Sequence, residues 1–526
     1  MQATESDDVR GRLVRSASTI TPLTLLSRAT GYLREKVIAF TLGAGLRTDA
    51  FFVAFRIPNM LREIIGEGAM SSAVIPVYSE VANQRSEAEA RAFVGRVVGT
   101  FALVLTAITT LGILVSPWLV ALLAAPFKAD PRKFALTVLL NRWMFPYILL
   151  VSLAALCQAL LNAHHRFAVP AAAPIFLNVS VILAAALVAP HVAEPTYALA
   201  GGVLVGGFLQ VAVQVPQLRK LKVVGRPALG WSDPAVRSVL LLMSPRLLAY
   251  GINSVNTVVS TRFAASLGTA SVSHLYFANR LKELVLGGFA VSIATAILPT
   301  LSRQGLAEDH GPFKDHLAFA LRLIAFVTIP ASVGLFALQV PIVRVLFQGG
   351  RFGAADTDAT AGVLATLALG LFFFACVRIV VPAFYALKNT TLPVLAALAD
   401  AAVFFALCTA LTKPLGLPGI GLAASAAAAV NVGILLVALR RREGRLRGGT
   451  VASSLWRILA ASAAMGALLW AAGRIVPPEA YAGWRGAVIL AVVIAIATAC
   501  YWLAAHFLGA PEPRELVRLT SRRRRA

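Results

Sequence analysis

Charged residues are scarce in this chain of 526 residues. Asp, Glu, Lys and Arg make up 14% of it, whereas an average soluble protein has about 25%. Hydrophobic residues make up 58%, and the mean hydropathy is +0.77. This composition excludes a water-soluble multidomain protein and indicates a polytopic membrane protein.

The sequence also lacks the residue patterns of several chemistries. Its four cysteines lie far apart in apolar segments, which argues against a disulfide framework and a metal site. No glycine is followed by lysine, so the chain has no phosphate-binding loop for ATP. No Ser/His/Asp or Cys/His pair is placed for nucleophilic catalysis. We therefore predict a protein that is not an enzyme and needs no metal or cofactor, while a coupled ion stays an open question.

Acidic residues are few, and the formal net charge is +24 at pH 7. In a soluble protein this excess would suggest nucleic acid as a partner. In a membrane protein it marks the cytoplasmic side. The loop "RRREGRLRGG" (440–449) and the terminal "RRRRA" (522–526) predict contacts with anionic membrane lipids and no nucleic-acid binding. Both termini are predicted to be cytoplasmic.

Apolar runs recur along nearly the whole length, and they predict an all-α protein with about fourteen transmembrane helices. The stretch "LGAGLRTDAFF" (42–52) resembles "LGTASVSHLYF" (267–277), and each lies between two predicted spans. This internal similarity predicts two six-helix lobes in a parallel repeat, an arrangement typical of transporters. We predict lobes at 1–225 and 226–447, two extra helices at 448–510, and a basic tail at 511–526.

The second predicted span carries charges that a lipid-facing helix could not hold. On an ideal helix, Asp49, Arg56, Glu63 and Glu67 lie within about 40° of one another. Such a stripe must face protein or water, because charges in hydrocarbon are expensive. Two interpretations remain open: a polar cavity, or an internal ion-pair ladder that only fixes packing.

Further cations lie in the first, seventh and eighth spans. Together with the second span, these are the first two helices of each proposed lobe. Arg28 and Arg34 lie in the first span, and Arg280 lies in the eighth with Glu283 one turn later. Clustered arginines predict a central cationic cavity for an anionic group such as phosphate or pyrophosphate, because guanidinium binds phosphate bidentately. The alternative for Arg280 is a local ion pair with Glu283.

Three segments resemble the MurJ (MviN) family of lipid II flippases, and the resemblance extends over essentially the whole chain. They are "SRATGYLREKVIAFTLGAGLRTDAFFVAFRIPNMLREIIGEGAMSSAVIPVYSE", "FANRLKELVLGGFAVSIATAILPTLS" and "PAFYALKNTTLPV". The resemblance implies a flippase in the bacterial inner membrane. Its implied substrate is lipid II, an undecaprenyl-pyrophosphate-linked disaccharide pentapeptide, which crosses by alternating access.

The same resemblance implies roles for particular residues. The family's cavity arginines correspond to Arg28, Arg34, Arg62 and Arg280. Its acids correspond to Asp49 and Glu67, while Glu63, Glu67 and Glu283 are expected to balance charge or latch a gate. The chain has Glu35 and Asn279 where the family often has Asp, so ion coupling through these two positions is in doubt. The last two helices are implied to form a groove for the lipid tail.

Two alternatives stay open at this point. The chain could move another polyprenyl-pyrophosphate-linked glycan, or it could be a membrane subunit that recruits other proteins without transport. Contact with the cell-wall synthesis machinery is a further possible partnership.

Overall fold

The protein is helical throughout the residues that its computed structural model describes, and these residues contain no strand. The backbone is described at 2–66 and 69–515, and the side chains there except at 2–21, 61, 63–66, 69 and 244–253. Ten of the described helices are long and apolar enough to cross a membrane, and a pair bent by 47° makes an eleventh span. The predicted all-α polytopic membrane fold is confirmed.

The chain forms two compact units, and the first contains the residues up to Val272 together with Gly349–Arg351. Its helices are α1 Gln2–Leu42, α2 Leu46–Gly66, α3 Ala69–Gln84, α4 Glu87–Leu114, α5 Ser116–Ala124, α6 Pro131–Met144, α7 Tyr147–Ala163, α8 Ala168–Leu183, α9 Pro195–Ala212, α10 Val215–Lys220 and α11 Pro234–Ser266. Helix α2 packs against α6 and α7, and α1 packs against α8. Helix α11 packs on α3 and α5, so it belongs to this unit.

The second unit contains Ser273–Gln348 and the chain from Phe352 onward. The remaining helices are α12 Ser271–Val285, α13 Val291–Gln304, α14 Gly311–Ala337, α15 Gln339–Phe347, α16 Ala354–Leu369, α17 Leu371–Ala386, α18 Thr391–Leu415, α19 Leu417–Glu443, α20 Gly448–Ile475 and α21 Gly483–Phe507. Helix α19 packs against α16, α17 and α18, whereas α20 packs on α14 and α21 packs on α20 and α15.

The two units repeat the same order of elements. In each, a long helix (α4 or α14) is followed by a nine-residue helix (α5 or α15) and then by a broken span. The corners before α2 and α12 each hold a glycine of positive φ, 69° at Gly43 and 108° at Gly268. A side chain at Gly43 would also meet the Arg351 carbonyl oxygen at 2.5 Å, so this corner requires glycine.

The ten or eleven apolar spans do not include α1, α2 with α3, or α11. Each of these stretches contains residues whose side chains are not described, and α1 carries four charges between Arg28 and Lys36. The count of fourteen therefore stays a prediction, as do the lobe boundary at residue 225 and the separate status of 448–510.

Candidate functional site

Helix α1 anchors one of the candidate arginines inside the first unit. The Arg34 guanidinium donates to Asn178 Oδ1 of α8 at 3.0 Å and to Glu35 at 2.5 Å, and 14% of its side chain is exposed. The Asn178 amide donates in turn to the Ser27 carbonyl at 3.1 Å. Arg34 is therefore held at a defined position. Arg28 is exposed and forms no hydrogen bond or ion pair within the described part of the chain.

Arg62 lies on α2 in the first unit. Its Nε donates to Asn59 Oδ1 at 3.0 Å. The fully buried Tyr147, at the start of α7, packs its ring on Phe55 with centroids 5.9 Å apart. The Tyr147 hydroxyl has no hydrogen-bond partner among the described residues. A buried hydroxyl without a partner costs about 1–3 kcal/mol, so Tyr147 is a local cost in the packing of the first unit.

Asp49 is a buried junction of three segments in the first unit. Its side chain is 0% exposed, and Oδ2 accepts from Lys133 Nζ at 2.7 Å and from the Ala270 N–H at 2.8 Å. Lys133 also lies over the Phe127 ring, 3.9 Å from its centroid. Asp49 thus joins the start of α2, the start of α6 and the corner before α12. This geometry suits a latch that holds helix ends together better than an acid that lines a wet cavity.

The second unit holds Arg280 and Glu283, which do not pair with each other. Arg280 donates Nε and Nη2 to the Tyr276 hydroxyl at 3.1 and 2.9 Å. Glu283 pairs with Arg378 of α17 at 2.9 Å and with Lys282 at 3.8 Å. The local ion pair with Glu283, the alternative left open by the sequence, is therefore absent here.

The repeat relates two side-chain contacts, one buried and one partly buried, in which the acidic and the basic residue change places. Asp49 in the first unit aligns with His274 in the second. Asp49 pairs with Lys133, the third residue of α6, and His274 pairs with Asp356, the third residue of α16, at 3.0 Å. The same two helix starts are thus joined in each unit, acid to base in one and base to acid in the other. This correspondence supports an internal repeat beyond the resemblance of apolar helices.

Several residues at this site carry little signal in the sequence. Lys133 lies two residues after Pro131, in the first turn of α6. From the sequence alone, a lysine at this position is indistinguishable from an ordinary solvent-exposed loop residue. Asn178 and Tyr147 sit in apolar runs and are uncharged. His274 could have been found, because the repeat places it at the position of Asp49. Glu63 and Glu67 lie outside the described side chains, so their roles stay predictions. No cluster that could hold a metal occurs in the residues that were described.

The loop between α7 and α8 contains a pH-sensitive contact. The Tyr78 hydroxyl is hydrogen-bonded to His164 Nε2 at 2.8 Å. Partial burial, together with the neighbouring His165 and Arg166, lowers the pKa of His164 below its usual range. A neutral imidazole nitrogen can accept this bond from Tyr78, whereas an imidazolium can only donate to the hydroxyl oxygen.

Acidification is expected to lower the thermal stability of the protein through His164. Because the folded pKa is depressed, the unfolded chain binds more protons, and stability falls as the pH drops below about 6.5. The melting temperature of the purified protein should decrease between about pH 7.5 and about pH 5.5. His164→Gln should flatten this dependence relative to His165→Gln. Equal slopes in both variants would contradict this assignment.

Comparison with known proteins gives a family and a fold. The family described as "Lipid II flippase MurJ" matches residues 38–484. The lipid II flippase MurJ of Burkholderia cenocepacia is 36% identical over 434 residues, which are 82% of this chain and 84% of the relative. A probable lipid II flippase MurJ of Vibrio cholerae is 34% identical over 475 residues, 88% of this chain and 90% of the relative.

Solved structures agree with the sequence comparison. A lipid II flippase MurJ in an inward closed conformation superposes with a TM-score of 0.79 at 25% identity, covering 95% of this chain and 99% of that one. An inward-facing multidrug resistance MATE transporter of the MOP superfamily gives a TM-score of 0.65 at 13% identity, covering 80% and 95%. The second likeness shows a shared fold only.

Proposed function

Because the chain belongs to the lipid II flippase MurJ family, we propose that it moves lipid II from the cytoplasmic to the periplasmic leaflet of the inner membrane. The chain is a transporter and not an enzyme. The proposal rests on the family match over residues 38–484 together with Arg34, which Asn178 and Glu35 hold at a defined position in the first unit. A guanidinium held in place suits a pyrophosphate better than a cation.

The mechanism follows from where the charges lie. The pyrophosphate-sugar head would cross in a wet cavity lined by Arg28, Arg34, Arg62 and Arg280, while the lipid tail stays in hydrocarbon. Helices α20 and α21 would guide the tail, and they leave large apolar side chains exposed. These side chains are Trp456, Trp470, Val488, Val492, Ile496 and Leu503. Alternating access would expose the cavity first to one leaflet and then to the other.

The membrane potential is the proposed energy source. The chain has no nucleotide-binding motif, and the substrate carries negative charge. With the inside negative, moving one negative charge outward is downhill by about 2.3 kcal/mol per 100 mV. The orientation with both termini in the cytoplasm is supported by the arginines at the end of α19 and in the terminal segment.

Depletion of the protein from growing cells tests this proposal. We expect lipid II to accumulate in the cytoplasmic leaflet, because synthesis continues while export stops. Accumulation of a different polyprenyl-linked glycan would assign another substrate. Normal wall synthesis after depletion would leave a recruiting subunit as the remaining interpretation. Expression of the wild-type gene in trans should reverse the accumulation.

A further inference from the structure

An apolar groove with two arginines at one end lies on the surface of the second unit. It is shallow and open along its length, with a volume of about 750 Å³. Leu392 of α18 and Val430, Gly433, Ile434, Val437 and Ala438 of α19 line it. Arg441 and Arg442 complete the lining at the end of α19. Helices α20 and α21, proposed to guide the substrate tail, pack elsewhere, on α14 and α15.

The side chains of this groove are arranged for an amphiphile. Val430 is 40% exposed and Val437 53% exposed on α19, which is a candidate membrane span. Both side chains therefore face outward from the second unit. Apart from its chain neighbours and the adjacent backbone of α19 itself, no atom lies within 4 Å of the place where a Gly433 side chain would begin, so the floor of the groove is open. An apolar trough that runs along a spanning helix toward its charged end matches a lipid acyl chain in shape and polarity.

The two arginines differ in a way that points to a ligand. Arg442 donates to the Leu387 carbonyl at 3.1 Å and pairs with Glu443 at 3.4 Å, so it is held in place. Arg441 forms no hydrogen bond or ion pair among the described residues. Basic residues in the last turn of a helix also complement its dipole. Stabilising the helix dipole would not by itself require both Arg441 and Arg442 to border an apolar groove.

We propose that this groove binds an anionic glycerophospholipid. Its phosphate lies between Arg441 and Arg442, and one acyl chain follows α19 past Val437 to Val430. Guanidinium groups near a membrane surface attract anionic lipid, and the apolar lining accounts for the chain. The lipid would be a resident of the second unit and would not be the transported substrate.

Native mass spectrometry of the purified, delipidated chain with phosphatidylglycerol tests this site. We expect the protein to retain phosphatidylglycerol in preference to phosphatidylcholine. Arg441→Gln should weaken binding about fivefold, and Arg441→Gln with Arg442→Gln roughly ten- to thirtyfold. Val437→Trp should block the groove without changing the charge. The matched control, Arg440→Gln with Arg445→Gln, removes the same charge outside the groove and should leave binding unchanged.

Three results would overturn the proposal. The first is equal retention of the two phospholipids, which would make the groove a nonselective apolar surface. The second is an equal loss of binding in the control pair, which would reflect net charge alone. The third is preferential retention of undecaprenyl phosphate when it is added in competition with phosphatidylglycerol, which would assign a polyprenyl occupant. Arg441→Gln removes no described contact, so we expect this variant to fold like the wild type. A loss of lipid binding in it would therefore report on the groove.

Discussion

Replacing Arg280 with alanine is expected to abolish transport while the protein still folds into the membrane. If this side chain shares the anionic head of the substrate with Arg34 and Arg62, its loss removes a buried charge-assisted contact of roughly 2–5 kcal/mol. That corresponds to a fall in transport of about thirtyfold or more. Complementation of a depleted strain, with expression confirmed by immunoblot, measures the effect.

Matched variants separate substrate binding from local packing. Arg280→Lys keeps the charge but loses the planar fork, so it should restore transport only in part. Tyr276→Phe removes the acceptor that Arg280 uses at 2.9 Å and should have a mild effect. Arg280→Ala with Glu283→Ala should stay inactive, because Glu283 pairs with Arg378. Arg440→Ala, at the surface, should be nearly silent. A functional double variant would remove Arg280 from the substrate site.

Lys133→Met is expected to destabilise the first unit strongly. It leaves the Asp49 carboxylate, 0% exposed, without the cation that lies 2.7 Å away. Breaking a buried ion pair from one side typically costs about 3–5 kcal/mol, whereas an exposed pair contributes about 1 kcal/mol or less. The melting temperature of purified protein should fall well below that of the wild type.

The double variant Lys133→Met with Asp49→Asn should be more stable than Lys133→Met alone. It leaves no buried charge, and the amide oxygen of the introduced asparagine can still accept from the Ala270 N–H. Asp315→Asn is the control, because it breaks an exposed ion pair with Arg447. The Asp315 side chain is 54% exposed and the Arg447 side chain 57% exposed. A double variant as unstable as the single one would show that the ion pair is not the reason for the loss.

The helical architecture could be predicted from the sequence because membrane spans leave a strong local signal. Long apolar runs and a basic loop at 440–449 need no knowledge of tertiary contacts. The polar stripe on α2 was also visible, since Asp49 and Arg56 fall on one face of a helix. Its partner was not, because Lys133 is 84 residues away and the pairing arises only when α2 packs on α6.

The candidate site shows the same limit. Arginines in spans stand out by charge, so Arg34, Arg62 and Arg280 could be chosen from the sequence. A neutral group that holds one of them does not stand out: Asn178 contacts Arg34 across 144 positions but lies in an apolar run of the sequence. Whether Arg280 shares a headgroup with the other arginines stays a prediction, because it belongs to the second unit.

Reconstituted transport tests the central claim most directly. The purified chain is incorporated into proteoliposomes with lipid II in one leaflet, and arrival in the other leaflet is measured over time. We predict transport that requires the wild-type protein, accelerates with an imposed potential that favours outward movement of negative charge, and is lost in Arg280→Ala. Transport no faster than in protein-free vesicles, or equal in wild type and Arg280→Ala, would contradict the account.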